Sequence, residues 1–88
     1  MTIIVERSIN NGTQEIHRFD NGYGASKVMH DFSYGGDRNL WEIAVIKFTG
    51  DGEWDWDITY DTHITTDVIG HLTYTEAQAV LQQIKELT

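Results

Sequence analysis

Four acidic residues stand at every second position of one short segment: Asp51, Glu53, Asp55 and Asp57. Carboxylates at this spacing resemble the first half of a calcium-binding loop, but an EF-hand also needs glycine at its sixth position and glutamate at its twelfth. Counted from Asp51, those positions hold Trp56 and Thr62, so the EF-hand pattern fails. The alternatives are a calcium site of non-standard form and a solvated acidic edge that discourages strand pairing, and we favour the edge.

The other side chains that could do chemistry form no recognisable set. The four histidines, His17, His30, His63 and His71, have no spacing typical of a zinc site. The chain has no cysteine, which excludes disulfides, thiolate zinc sites and a thiol nucleophile. The serines lack a nucleophile-elbow context, and the turn glycines do not precede a helix as a phosphate cradle requires. We therefore expect no catalytic residues, no metal and no cofactor, and we do not expect an enzyme.

The composition predicts one acidic domain, residues 1–88. Lys and Arg number 6 against 14 Asp and Glu, which gives a net charge of −8. Phosphate backbones repel such a chain and its cations are scattered singly, so direct nucleic-acid binding is not expected. No segment approaches the ~20 apolar residues of a membrane span, and the apolar run Ile3–Val5 is too short for a signal peptide. We expect no membrane association and a location in the cytoplasm.

The acidic residues belong to a strand pattern that runs from Trp54 to Asp61. Small polar or acidic residues alternate there with large apolar ones, namely Trp54, Trp56, Ile58 and Tyr60. A period of two predicts a strand with one apolar face and one acidic face. We expect the apolar face to lie in the core under a C-terminal helix, and the acidic face to meet water or a partner.

Four more strands and that helix complete the predicted fold. The strands are joined by Asn- and Gly-rich turns that favour antiparallel neighbours, and they span Ile3–Ser8, Gln14–Asp20, Ala25–Phe32 and Leu40–Phe48. Residues 62–72 read as irregular, with one helical turn considered at 67–70. The helix begins at Thr73 or Thr75, since each starts a capping-box pattern, and its apolar stripe is Ala77, Val80, Leu81, Ile84 and Leu87. The fold class is α+β, an antiparallel meander sheet of about five strands with one C-terminal amphipathic helix packed on one face.

One helix cannot cover both faces of this sheet. A helix of ~13 residues is about 20 Å long and ~10 Å wide. Yet strand Leu40–Phe48 is apolar on both sides, with Leu40, Ala44, Ile46 and Phe48 on one and Trp41, Ile43 and Val45 on the other. The face that the helix leaves uncovered has three possible covers: residues 62–72, strong curling of the sheet, or a second protein molecule.

We expect the cover to be a homo-oligomer or a protein partner, because an uncovered apolar patch marks an interaction site. The candidate interaction surface combines apolar residues of the fourth strand with the acidic residues of the fifth: Trp41, Ile43, Val45, Asp51, Glu53, Asp55, Asp57 and Asp61.

Three segments of the chain resemble known sequences: Asn21–Ser26, Leu40–Lys47 and Ile64–Leu72. The short amphipathic helix follows the last of them. They are similar to a family of small uncharacterised proteins encoded by bacteriophages and prophages. In such sequences a proline is common where this chain has His63. The resemblance implies a phage gene product acting inside a bacterial cell, and it implies no mechanism.

Three function classes remain. The leading hypothesis is a non-enzymatic phage accessory protein that binds another protein, either a host factor or a second copy. A special case is mimicry of nucleic acid, in which the five carboxylates imitate phosphates toward a basic protein. The alternative is a structural or assembly component of the phage particle. A small enzyme ranks last, since small chains without metal, cysteine or paired catalytic groups rarely build a concave site.

Overall fold

The computed structural model describes residues 2–65 and 67–88, and it confirms the antiparallel meander with a C-terminal helix. Five strands neighbour one another in chain order: β1 (Ile3–Ile9), β2 (Gly12–Arg18), β3 (Tyr23–Met29), β4 (Trp41–Phe48) and β5 (Trp56–Ile58). Each neighbouring pair is antiparallel. Helix α1 (Tyr74–Lys85) follows them and packs against the sheet. The α+β class is therefore confirmed.

Two strands are shorter than predicted because residues at one end of each form a hydrogen-bonded turn. Strand β3 stops at Met29, since the backbone N–H of His30 donates to the Ser33 hydroxyl at 2.9 Å and begins a loop. Strand β5 starts only at Trp56, because the backbone N–H of Asp55 donates to the Gly52 carbonyl at 3.1 Å. The alternating pattern predicted that these backbone groups pair with a neighbouring strand, but they form hydrogen bonds within the turns instead.

A sixth strand, β6 (Ile69–Leu72), overturns the helical turn considered for residues 67–70. It pairs antiparallel with β4, placing Leu72 opposite Trp41 and Ile69 opposite Ile43. The pairing fills the part of the β4 edge that the short β5 leaves open. Thr66, which belongs to the segment predicted to be irregular, lies outside the described residues.

Helix α1 begins after Thr73, the first of the two starts considered. The Thr73 hydroxyl accepts the backbone N–H of Glu76 at 3.2 Å, and the Glu76 carboxylate accepts the backbone N–H of Thr73 at 2.9 Å. Both bonds of a capping box are present, so the register of the helix is fixed at its first turn. The bond from the Thr73 backbone also lowers the pKa of Glu76.

The predicted apolar stripe of α1 forms one side of the core. All five of its residues are buried, and they pack with residues of the sheet and its turns: Phe19, Ala25, Ile43, Val45 and Leu72. Ile64 and Ile69, from the segment between β5 and α1, are partly buried against the same cluster. The helix and that segment together cover this face of the sheet.

The opposite face is buried by the curl of the sheet. Ile16 and Ile46 point away from the buried cluster beneath α1, and both are 0% exposed. In a flat sheet β1 and β5 would be four strand spacings, or ~19 Å, apart. The Arg7 guanidinium on β1 nevertheless lies 4.8 Å from the ring centre of Trp54, just before β5. Curling, one of the three covers considered, therefore encloses this face without a second molecule.

Candidate interaction surface

The acidic part of the predicted surface is a largely exposed segment, residues 51–61, which we call the acidic arm. Its five carboxylate residues, Asp51, Glu53, Asp55, Asp57 and Asp61, are all exposed. Within the described part of the chain, two of them have a polar partner. Asp55 caps the turn, and Asp51 lies 4.0 Å from an Arg18 nitrogen in an exposed pair that contributes little. Most of the arm's negative charge is therefore free to act on a partner.

The turn that begins the arm is held by its own hydrogen bonds. The backbone N–H of Thr49 donates to the Asp55 carbonyl at 2.8 Å, and the backbone N–H of Gly52 donates to the Asp55 carboxylate at 3.0 Å. A Cβ at Gly52 would lie 2.7 Å from that carboxylate, so a larger residue there would displace the Asp55 side chain from the turn. Asp55 is thus a structural member of the arm, while the other four carboxylates carry no such duty in the turn.

The apolar side of the arm is half-exposed, which corrects the expectation that it lies under the helix. Trp54, Ile58 and Tyr60 are 49%, 43% and 47% exposed. Ile58 pairs with Ile46, whose side chain lies on the face away from α1. Because β5 is an edge strand, it has a neighbouring strand on one side only. The large side chains on this face therefore stay accessible to solvent. The arm therefore offers both carboxylates and aromatic surface.

Contacts between rings and a cation fasten the arm to the opposite edge of the sheet. The rings of Trp54 and Trp56 have their centres 6.1 Å apart, and the Arg7 guanidinium stacks over Trp54. The indole N–H of Trp56 donates to the Glu53 carbonyl at 3.1 Å. Cation–π contacts contribute about 0.5–1 kcal/mol at exposed sites, so Arg7 helps to fix the arm's position.

Most basic residues of the protein face an aromatic ring, and two of them, Arg18 and Lys27, also lie within 4.0 Å of a carboxylate. Four of its six Lys and Arg side chains lie within 5.4 Å of a ring centre: Arg7 over Trp54, Arg18 over Phe48, Lys27 over Trp41 and Lys47 over Tyr23. Of the 14 acidic residues, all but Glu15 and Glu42 are exposed. The surface is therefore strongly negative, and the arm is its densest acidic segment in the sequence.

The apolar part of the predicted surface requires a correction. Ile43 and Val45 are buried in the cluster beneath α1, and Trp41 packs against that cluster. These three side chains point toward the helix because they alternate with Ala44 and Ile46, which face the curled side. Hence the structure separates them from the acidic arm, and Ile43 and Val45 are not accessible to a partner.

A buried polar network beside the helix was missed by the sequence reading. The Thr2 hydroxyl lies 2.8 Å from Nδ1 of His17, and Nε2 of His17 lies 2.9 Å from the Glu15 carboxylate. The Lys27 ammonium lies 3.6 Å from the same carboxylate and 4.2 Å from the ring centre of Trp41. Burial lowers the pKa of His17, and its hydrogen bond to Glu15 offsets part of that effect.

The order hydroxyl, imidazole, carboxylate resembles that of a catalytic triad. One tautomer satisfies both contacts, with Nε2–H of His17 donating to Glu15 and Nδ1 accepting from Thr2. A cavity of about 200 Å³ adjoins Thr2 and His17. The Glu15 carboxylate, however, also neutralises the buried Lys27, so the network is accounted for by the need to pair buried charges. The sequence signal was the shared face of Glu15 and His17, but only the strand register brings Lys27 opposite Glu15.

The remaining histidines do not gather into a site. His30 accepts the backbone N–H of Phe32 at 3.1 Å within its loop, and His63 lines a separate surface cavity with Asp61 and Glu86. Among residues 2–65 and 67–88, no group of three His, Cys, Asp or Glu side chains has a geometry that could hold a metal ion.

Comparison of the chain with protein-family models, with curated proteins and with solved structures found no match. Among the described residues, no helix has the length and apolar character needed to cross a membrane. The acidic arm, which combines exposed carboxylates with half-exposed apolar side chains, is the candidate site.

Proposed function

We propose that the protein is a non-enzymatic binding module whose acidic arm recognises a basic surface on another protein. The observation that carries this proposal is the exposure of five carboxylates beside three half-exposed apolar side chains on one fastened segment. Aromatic and apolar contacts supply affinity at protein interfaces, while complementary charge speeds encounter and selects the partner.

The charge of the arm favours a basic partner over a second copy of this chain. Two copies that met through their arms would place carboxylates against carboxylates, and like charges directly opposite each other destabilise a sheet contact. The net charge of −8 adds a general repulsion between copies. Self-association, which the sequence left open beside a partner, is therefore the weaker proposal for this surface.

The resemblance to phage-encoded proteins supports a bacterial cell as the setting, so a basic host protein is the partner we propose. Mimicry of nucleic acid is the special case in which that partner normally binds DNA or RNA. The alternative, a component of the phage particle, relied on a free, flat sheet face. Because both faces of β4 are covered within one chain, no feature of the fold favours this alternative.

A capture experiment with matched variants tests the proposal. The arm variant carries Asp51→Asn, Glu53→Gln, Asp57→Asn and Asp61→Asn, and it retains Asp55 because that carboxylate supports the turn. The control variant removes the same amount of charge at exposed positions elsewhere, through Glu6→Gln, Asp20→Asn, Asp31→Asn and Asp37→Asn. Each protein is immobilised and exposed to bacterial lysate over a series of salt concentrations, and bound proteins are identified by mass spectrometry.

We expect wild type and control to retain the same basic protein, and the arm variant to lose it. Retention should fall as salt rises, because screening weakens contacts between exposed charges. Equal loss in both variants would mean that net charge alone drives capture, and equal retention by all three would show that the arm is not the binding surface. Either result would refute the proposal.

A further inference from the structure

The backbone of β5 has a free edge whose orientation follows from its hydrogen bonds. The backbone N–H of Thr59 donates to the Val45 carbonyl at 2.9 Å, and that of Thr49 donates to the Asp55 carbonyl at 2.8 Å. Residues 55 and 59 therefore direct their peptide groups toward β4. Peptide groups alternate along an antiparallel strand, so those of Trp56 and Ile58 point away from β4, to the side where the described sheet has no further strand.

The side chains along this edge have two different characters. Trp56 and Ile58 pair with Phe48 and Ile46 and lie on the curled side of the sheet. Asp57 pairs with Lys47 and points to the other side, where it is exposed. A strand added beside β5 would therefore meet apolar surface on one of its faces and a carboxylate on the other.

We propose that the partner of the acidic arm binds as an extended segment that adds a strand beside β5, with basic and apolar residues in alternation. This inference rests on the proposed function and specifies the shape and pattern of the partner. The peptide groups of Trp56 and Ile58 pair with the added backbone. Lysine or arginine side chains lie beside Asp57, and apolar side chains of the added strand cover Trp56 and Ile58.

The acidic residues disfavour pairing of this edge with the same edge of another copy. Exposed edge strands are templates for association, and charged side chains block pairing with an identical edge. The same charges attract a strand of opposite sign, since opposite charges on facing residues stabilise a strand pair. Charge complementarity thus selects a basic segment over a second copy of the chain.

Synthetic peptides test this binding mode. The first peptide alternates lysine and valine, and the second has the same composition with its lysines in one block and its valines in another. The third and fourth are the alternating peptide with N-methyl groups on every second backbone nitrogen, along one edge in the third and along the other edge in the fourth. A fifth peptide alternates glutamate and valine. Affinities for the whole protein are measured by calorimetry at low salt.

The alternating lysine peptide should bind about tenfold more tightly than the block peptide, the factor that one or two additional hydrogen bonds give. One of the two possible N-methylated edges should lower the affinity to that of the block peptide, and the glutamate peptide should not bind. If all four lysine peptides bind equally to wild type and more weakly to the arm variant, strand addition is overturned while the proposed function stands. If no lysine peptide binds wild type, both are overturned.

Two substitutions test the edge from the protein's side. Ile58→Pro removes an N–H that points away from β4, whereas Ile58→Ala keeps that N–H and removes most of the side chain. Proline is tolerated in an edge strand where its nitrogen faces solvent, and circular dichroism checks that both variants fold. We expect Ile58→Pro to bind the alternating peptide several-fold more weakly than Ile58→Ala. Equal affinities would overturn strand addition, and the N-methylated peptides decide the question if the proline variant does not fold.

Discussion

Replacing Glu15 with glutamine should leave a buried positive charge without a compensating carboxylate. The Lys27 residue is 3% exposed, and its ammonium lies 3.6 Å from the Glu15 carboxylate. Removing one partner of a buried ion pair costs about 3–5 kcal/mol, because the other charge stays desolvated. The separation exceeds the ~2.7–2.9 Å of a short charge-assisted bond, and the ring of Trp41 still faces the ammonium. We therefore expect the lower end, a loss of about 3 kcal/mol in the free energy of unfolding.

The partner substitution, Lys27→Met, should cost much less. Methionine keeps an apolar chain against the ring of Trp41 and removes the buried ammonium. The Glu15 carboxylate that remains is 14% exposed and keeps its hydrogen bond from His17, so we expect a loss of only about 1 kcal/mol. The double variant should then be more stable than the sum of the two losses predicts, with a coupling energy of about 2 kcal/mol between the two positions.

Urea unfolding at neutral pH, followed by tryptophan fluorescence, measures all three variants. The expected loss for Glu15→Gln corresponds to a fall of about 12–24 °C in melting temperature for a domain of this size. Glu53→Gln is the control, since this exposed side chain should change stability by less than about 0.5 kcal/mol. A loss for Glu15→Gln as small as that of the control would refute the argument that Lys27 depends on Glu15.

Three further predictions concern pH, the core and the helix cap. Burial lowers the pKa of His17 from its usual value of 6.5, so the unfolded chain binds more protons. Stability should therefore fall as the pH drops through 6.5, by up to about 1.4 kcal/mol per pH unit, and level off below the folded pKa. His17→Asn should flatten this profile of urea midpoints, whereas the exposed control His63→Asn should leave it unchanged. Ile84→Ala, at a residue 0% exposed, should cost about 2–5 kcal/mol in urea unfolding, and the exposed control Gln83→Ala should cost little. Thr73→Ala removes the hydroxyl of the capping box and should cost about 1 kcal/mol in thermal melts, while no loss would show that the cap does not stabilise α1.

The antiparallel meander and the helix could be predicted because their signals are local. Asn10 and Asn11 adopt positive φ angles in the turn between β1 and β2, as an Asn-rich hairpin turn requires. The capping box and the spacing of the apolar stripe specify where α1 begins and which side it buries. Such features depend on neighbours within a few residues, so the sequence carries them directly.

The curl of the sheet and the buried network could not be predicted, because both depend on register and on distant contacts. A strand that is apolar on both sides indicates that both faces are covered, and it does not say by what. The contact between Arg7 and Trp54 reveals the curl, and it joins residues from opposite ends of the meander. Likewise, only the pairing of β2 with β3 places Lys27 opposite Glu15.

The predicted interaction surface also has one part that a local pattern predicted and one part that depends on distant contacts. The carboxylates of the arm were predicted to be exposed from alternation alone, and each of them is exposed. The companion residues Ile43 and Val45 were assigned to an uncovered face, but they lie on the face that α1 covers and are buried beneath the helix.

The most direct measurement of the central claim is a map of the binding surface by NMR. The alternating lysine-valine peptide is titrated into the isotope-labelled protein, and changes in backbone amide shifts are followed residue by residue. Binding through the acidic arm predicts that the largest changes fall within residues 49–61, with Trp56 and Ile58 among them. Changes of equal size around the exposed Asp20, Asp31 and Asp37 would instead show attraction to negative charge anywhere on the molecule, and they would contradict the account.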